Sequence, residues 1–218
     1  MTAVIFDLDG TLIDSAPDII ANSNVILAEM GLPALPPAQI KSYIGRGVGH
    51  LLARLLEASG EVPDGPLLAP MQARFNARYE TAFDLTVVYR GVVKALDRLA
   101  GMGCALGVCT NKPIAPTRAV LGHFNLSGYF GAVYGGDSLA VRKPDPAPLL
   151  ATVAALGRKQ VIYVGDSEVD AETAERAGLP FLLFTEGYRK TAVHDLPHDA
   201  AFNDFAQLPG LVAAMMKG

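Results

Sequence analysis

The chain carries two cysteines, shows no excess of basic charge and contains no apolar run long enough to cross a bilayer. Each shortage removes a class of function. A membrane helix needs on the order of 18 consecutive apolar residues, and no stretch reaches that length. The formal charge is −4 and the lysines and arginines are scattered. No positive field therefore awaits nucleic acid, and any anionic ligand must be held locally. Cys104 and Cys109 share one apolar run; on a strand they would lie roughly 16 Å apart and face opposite sides, out of reach of a disulfide. Reduced thiols acting as small core residues fit better than a redox or metal pair. The amino terminus lacks the basic segment that precedes the apolar stretch of a secretory signal, which leads us to expect a cytoplasmic protein. Repeats and low-complexity tracts are also missing. What remains is 218 residues, half of them hydrophobic, ample for a sizeable core.

The most informative stretch is VIFDLDGT, Val4 to Thr11. Its apolar start reads as a strand, and because a strand alternates its side chains, Asp7 and Asp9 point the same way. Gly10 then lets the chain turn sharply out of the sheet. Two carboxylates in one small space raise each other's proton affinity unless a cation sits between them or one stays protonated. An acid after a strand can simply cap the next helix, but three further polar clusters fall in equivalent places.

Strands are expected at Val4–Phe6, Ala105–Cys109, Ala132–Tyr134, Val161–Val164 and Phe181–Phe184, with helices between them from residue 91 onward. Continuous apolar strands separated by helices predict an α/β, doubly wound (Rossmann-like) parallel sheet that binds ligands beyond its carboxyl edge. The first strand is followed by about 80 residues without a convincing strand, far more than a crossover needs. We therefore expect an inserted, small α-helical cap over residues 15–83, with the core formed by 1–14 and 84–218. Ser15 is expected to cap the first helix of the insert, with Pro17 in its first turn and Asp18 at its positive end. That helix should reach about Met30, followed by one over Ala38–Tyr43, a glycine-rich loop from Ile44 to Gly49, and helices over about 48–59 and 66–83. Two short linkers joining this block to the core would permit a hinged lid.

The polar clusters are Asp7 with Asp9 and Thr11, Thr110 with Asn111, Lys143 before Pro144, and Asp166 with Asp170. One rim can collect all of them. Their carboxylates are the hard oxygen ligands that suit Mg2+, and the absence of cysteine and histidine disfavours zinc. A lysine fixed beside such a metal has a specific use, to neutralise a phosphoryl group. Thr110 and Asn111, ahead of a helix opening near Pro113, can complete an anion site.

DLDGT at 7–11, TNK at 110–112, KPDP at 143–146 and GDSEVD at 165–170 resemble, in order, the four motifs of the haloacid dehalogenase-like hydrolases. The segments DSAPDI, IGRGVGHLL and EGYR are similar to those of members that act on 2-phosphoglycolate. The resemblance implies that Asp7 is a nucleophile forming an aspartyl-phosphate and that Asp9 is the general acid and base. It implies Mg2+ held by Asp7, the Asp9 backbone carbonyl and Asp166, with Asp170 ordering the outer shell. Thr11, Thr110, Asn111 and Lys143 are then expected to bind the phosphoryl group, and Gly45 and Arg46 of the cap loop to meet the rest of the substrate, Arg46 gripping its carboxylate. Members that cleave carbon–halogen bonds replace the second acid, whereas Asp9 and Thr11 are both present here. The expected partner is a small phosphorylated metabolite, 2-phosphoglycolate first, with sugar phosphates, nucleotides or pyrophosphate, or a mutase activity, as alternatives. A phosphoacceptor signalling or binding domain is the non-enzyme alternative, although a receiver needs no helical insert. No nucleic-acid or membrane partner is expected, and the chain should act as a monomer or homodimer.

Overall fold

In the computed structural model, which describes residues 2–216, β1 (Thr2–Phe6) and the short β2 (Ile13–Asp14) lead into α1 (Ala16–Glu29), α2 (Pro37–Lys41), α3 (Val48–Ala58) and α4 (Leu68–Tyr79). The chain returns through β3 (Val87–Val88) and then alternates: α5 (Val92–Gly101), β4 (Ala105–Cys109), α6 (Ile114–His123), β5 (Phe130–Tyr134), α7 (Ala147–Leu156), β6 (Gln160–Gly165), α8 (Glu168–Ala177), β7 (Phe181–Phe184), β8 (Ala200–Phe202) and α9 (Leu208–Met215).

Six parallel strands form one sheet in the order β5-β4-β1-β6-β7-β8. Every residue of β1 is buried, as a central strand covered on both faces requires. Alternation sends Val4 and Phe6 to one side, where they pack with Leu96 of α5, Val120 of α6 and Val212 of α9. Ala3 and Ile5 face the other side, with Leu149 of α7 and Ala171 of α8. This is the expected doubly wound α/β sheet. The chain proceeds outward from β1 through β4 to β5 on one side and through β6 to β8 on the other, so the crevice where the winding reverses opens at the ends of β1, β4 and β6. Phe6 stands level with Val108 and Val164, which brings Asp7, Thr110 and Asp166 to one edge.

The helices between β2 and β3 bury a separate hydrophobic cluster that includes Ile26, Ile40, Leu55 and Phe75. The two connecting segments are not free linkers. They pair as an antiparallel ribbon, Ile13 opposite Val88 and Asp14 opposite Val87. Asp18 straps the same junction, its Oδ2 accepting from Thr86 Oγ1 at 2.6 Å and Leu85 N at 3.0 Å.

Several sequence expectations shift. Ser15 precedes α1 but makes no side-chain cap, because its hydroxyl points instead to Asp9. The second cap helix ends at Lys41 rather than Tyr43, and α4 stops at Tyr79 rather than 83. β2, β3 and β8 were not expected; each has only two or three residues and is stabilised by its partner strand rather than by its own pattern. Cys104 lies just outside β4 and Cys109 ends it; both are buried free thiols, and burial pushes Cys109 up to about 12, which keeps it unreactive. Among the described residues no helix is long and apolar enough to cross a membrane.

Candidate active site

Asp7 is the first residue beyond β1, and its backbone N–H still donates to Val164 O at 2.9 Å, so the sheet fixes where its carboxylate begins. Lys143 Nζ lies 3.0 Å from Asp7 Oδ1. The approach is off the angle a hydrogen bond needs, which leaves Oδ1 buried without a donor. Burial pushes the Asp7 carboxyl up to about 7; the Lys143 charge opposes that rise and Asp170 adds to it.

Asp166 closes the other side. Thr11 Oγ1 donates to its Oδ1 at 2.7 Å and Tyr188 N to its Oδ2 at 2.6 Å. Gly10, at φ +89°, and Gly187 pass so close that a Cβ on either would overlap this carboxylate, and that is why the turn after β1 needs glycine. Burial, then the charges of Asp170 and Asp7, raise Asp166 well above the usual carboxylate range. Asp170 differs. Burial would raise it too, but Lys143, with hydrogen bonds from Ser167 and Tyr163, outweighs this and holds it low. Its Oδ1 accepts from Lys143 Nζ and Tyr163 OH, both at 2.7 Å, and its Oδ2 from Ser167 Oγ at 2.6 Å, inside a capping box that opens α8.

One oxygen from each of Asp7, Asp166 and Asp170 falls within a 4.8 Å cluster. The donors are all hard oxygens, burial raises two of the acids, and one Asp7 oxygen makes no hydrogen bond although Lys143 stands beside it. That set fits Mg2+. Asp170, saturated by Lys143, Tyr163 and Ser167, fits an outer role.

Asp9 faces the same cavity from the side of the cap. Its Oδ1 accepts from Ser15 Oγ at 2.6 Å and lies 3.3 Å from Lys112 Nζ. Lys112 is buried, donates to Tyr79 OH at 2.7 Å, and stands 3.9 Å from the centre of that ring. Tyr79 comes from α4 of the insert. Asn111 grips the insert as well: its Nδ2 donates to Gly45 O and to Lys143 O, each at 3.0 Å.

Most of the expected residues do converge. Asp7, Asp9, Thr110, Asn111 and Gly45 line one small cavity, with Lys143, Asp166 and Asp170 behind Asp7. Three of the expected substrate contacts also have protein partners or surroundings of their own. Thr11 is fully buried and gives its hydroxyl to Asp166, so it orients that acid rather than facing substrate. Asn111 has both amide hydrogens on backbone carbonyls, which makes it a latch between insert and core. Arg46 is exposed and lines a neighbouring cleft with His50 and Lys190.

Residues the sequence reading did not select include Lys112, Tyr79, Tyr163 and Tyr188. Lys112 follows Thr110 and Asn111 directly, which was the available signal. Tyr188 lies in the EGYR segment noted above, whereas Tyr79, whose partner Lys112 is 33 residues away, and Tyr163, inside an apolar strand, gave none. Tyr188 OH accepts from Ser15 N at 2.8 Å and Ala16 N at 2.9 Å and donates to Asp14 Oδ1 at 2.8 Å, so one residue holds both Asp166 and the junction with the insert.

Comparison with known proteins agrees with this arrangement. The profile of the haloacid dehalogenase-like hydrolases matches residues 4–184. The phosphoglycolate phosphatase of Rhodobacter capsulatus is 50% identical over 210 residues, 96% of each chain. That of Cereibacter sphaeroides is 52% identical over 217 residues, 99% of this chain and all of its own. A crystal structure described as a predicted phosphoglycolate phosphatase from Haemophilus somnus superposes with a TM-score of 0.91 at 29% identity, covering 96% of this chain and 97% of that one. With the motif order, the doubly wound sheet and the gathered acids, these matches establish that the chain belongs to the haloacid dehalogenase-like hydrolase family.

Proposed function

We propose that this protein is a Mg2+-dependent phosphatase that hydrolyses 2-phosphoglycolate to glycolate and phosphate. The observation that carries the reading is the buried Asp7 carboxylate, beside Lys143 and clustered with Asp166 and Asp170, at a cavity that also holds Asp9. The full-length relatives named phosphoglycolate phosphatase support the choice of substrate.

Asp7 attacks phosphorus, the bond to the leaving oxygen breaks, and an aspartyl-phosphate forms; two easier displacements replace one difficult one. Asp9 gives its proton to the leaving oxygen and then takes one from the water that attacks the phosphoryl group. Ser15 and Lys112 both contact Asp9 Oδ1, which orients the carboxyl with Oδ2 toward proton transfer. Lys143 offsets negative charge at Asp7 as the phosphoryl group approaches. Asp7, the Asp9 carbonyl and Asp166 would hold Mg2+, which, when bound, neutralises phosphate charge and aligns it for in-line attack. Residues 15–83 act as the cap, swinging on the β2–β3 ribbon to admit substrate and exclude water.

The test is kcat/KM over 2-phosphoglycolate, sugar phosphates, nucleotides and pyrophosphate, each with Mg2+ and with EDTA. The reading requires 2-phosphoglycolate to lead the panel and EDTA to abolish the rate. An EDTA-insensitive rate or a leading sugar phosphate would overturn it.

A further inference from the structure

The cavity beside Asp9 holds a cation that the phosphoryl site does not use. Lys143 is enclosed by Asp7, Asp170 and Tyr163. Lys112 instead lines the open side, between Asp9 and Tyr79. We propose that Lys112, held by Tyr79 of α4, binds the carboxylate of a short carboxylated leaving group, and that it, rather than Arg46, separates such esters from uncharged ones. The inference rests on the phosphatase reading above and names the residue that meets the leaving group.

The geometry follows from the chemistry of the substrate. Asp9 is the residue that protonates the leaving oxygen, and in a 2-phosphocarboxylate the carboxylate is one carbon away from that oxygen. It must therefore sit close to Asp9. The cap walls there, Ile19, Ile44, Val48 and Leu51, have no side-chain donor. A carboxylate pressed against them needs a charged partner, since an unpaired buried charge is costly. Lys112 is the cation in reach, whereas Arg46 lines the separate cleft. An ammonium has three donors. Lys112 directs one to Tyr79 at 2.7 Å and one to Asp9 at 3.3 Å, the latter long beside the roughly 2.7–2.9 Å of a firm charge-assisted bond. One donor stays uncommitted, and the Asp9 contact is loose enough to yield.

The cavity measures about 30 Å³, space for roughly two waters, so the cap must shift to admit a phosphate ester. Because Tyr79 belongs to the insert, the carboxylate site is complete only when the cap is shut.

The test compares 2-phosphoglycolate with ethyl phosphate, in which a methyl group replaces the carboxylate, for the wild type, Lys112→Met, Lys112→Gln and Tyr79→Phe. The wild type should prefer 2-phosphoglycolate. In both Lys112 variants the ratio of the two kcat/KM values should fall at least tenfold, chiefly through KM for 2-phosphoglycolate, and Tyr79→Phe should lower it by less. A ratio that survives in either folded Lys112 variant overturns the assignment and leaves the substrate reading standing. Should thermal melts show that neither lysine variant folds, an unchanged ratio in Tyr79→Phe overturns it. A wild type without preference would overturn the substrate reading and this assignment together.

Discussion

The core and the insert build their shares of the site by different means. The core supplies the chemistry from residues that stand at or just beyond the ends of neighbouring strands, Asp7, Thr110 and Asp166, and sheet register fixes their spacing. Glycines and buried hydroxyls then hold Asp166 and Asp170 from behind, and Lys143 stands beside Asp7. The insert supplies apolar walls, one carbonyl from Gly45 and one phenol from Tyr79, all carried on helices and a loop with their own hydrophobic cluster. On the proposed mechanism, rigid placement governs the reaction and a separately packed body governs what reaches it.

The comparison breaks most visibly at Lys143. Lys143→Met keeps much of the aliphatic length but leaves Asp7 and Asp170 buried without their cation. We expect kcat/KM to fall on the order of 100-fold or more, the scale of a lost preorganised charge contact. A variant within threefold of the parent would show that the core's charge network does not serve the reaction. The insert should answer differently. Leu55 is fully buried in its cluster, away from the cavity. Leu55→Ala should cost about 2–5 kcal/mol by denaturant melting while kcat on 2-phosphoglycolate, assayed well below Tm, stays within threefold. A collapse of kcat with the fold intact would mean that packing inside the insert is transmitted to the core acids.

Metal and pH sharpen the core's side. Burial holds Asp7 up to about 7 and Asp166 well above its ordinary range, so without metal the folded chain binds protons that the unfolded chain has released. The stability these groups lend is complete below the ordinary carboxylate pKa of about 4 and is lost as pH rises through their raised values, about 7 for Asp7. Mg2+ needs them ionised. The rise in Tm on adding Mg2+ should therefore be larger at pH 8 than at pH 5. An equal or smaller rise at pH 8 would mean that these acids are not where the metal binds.

The smallest effect is expected at Arg46. Exposed and outside the cavity, it can steer an anion but not grip it. Arg46→Ala should lower kcat/KM for 2-phosphoglycolate by no more than about threefold, an effect that fades with added salt. A tenfold rise in KM would return Arg46 to direct contact with substrate.

What was legible in the sequence divides along the same line. β4 and β7 match the expected ranges to the residue because apolar runs bounded by small or polar residues leave little freedom. Asp7, Asp9 and Asp166 were legible because a strand end carries its polar residues to a known edge, and Lys143 and Asp170, in the loop before α7 and the first turn of α8, through the motifs that hold them. β2 and β3 were not, since two-residue strands exist only through their mutual pairing. The roles of Thr11 and Asn111 depend on partners 155 and 66 residues away, which no local pattern reveals. Lys112 looks like any solvated lysine until Tyr79 is placed over it.

The central claim is that Asp7 carries the phosphoryl group while Asp9 moves the proton. It is tested most directly in Asp9→Asn, whose intact nucleophile should accept phosphate from p-nitrophenyl phosphate, a good leaving group, yet release it slowly. Acid-quenched single turnover with labelled phosphate should leave close to one label per chain, on the peptide that contains residues 4–11, and none when Asp7→Asn is added. Turnover without covalent label, or label that survives Asp7→Asn, would contradict the account.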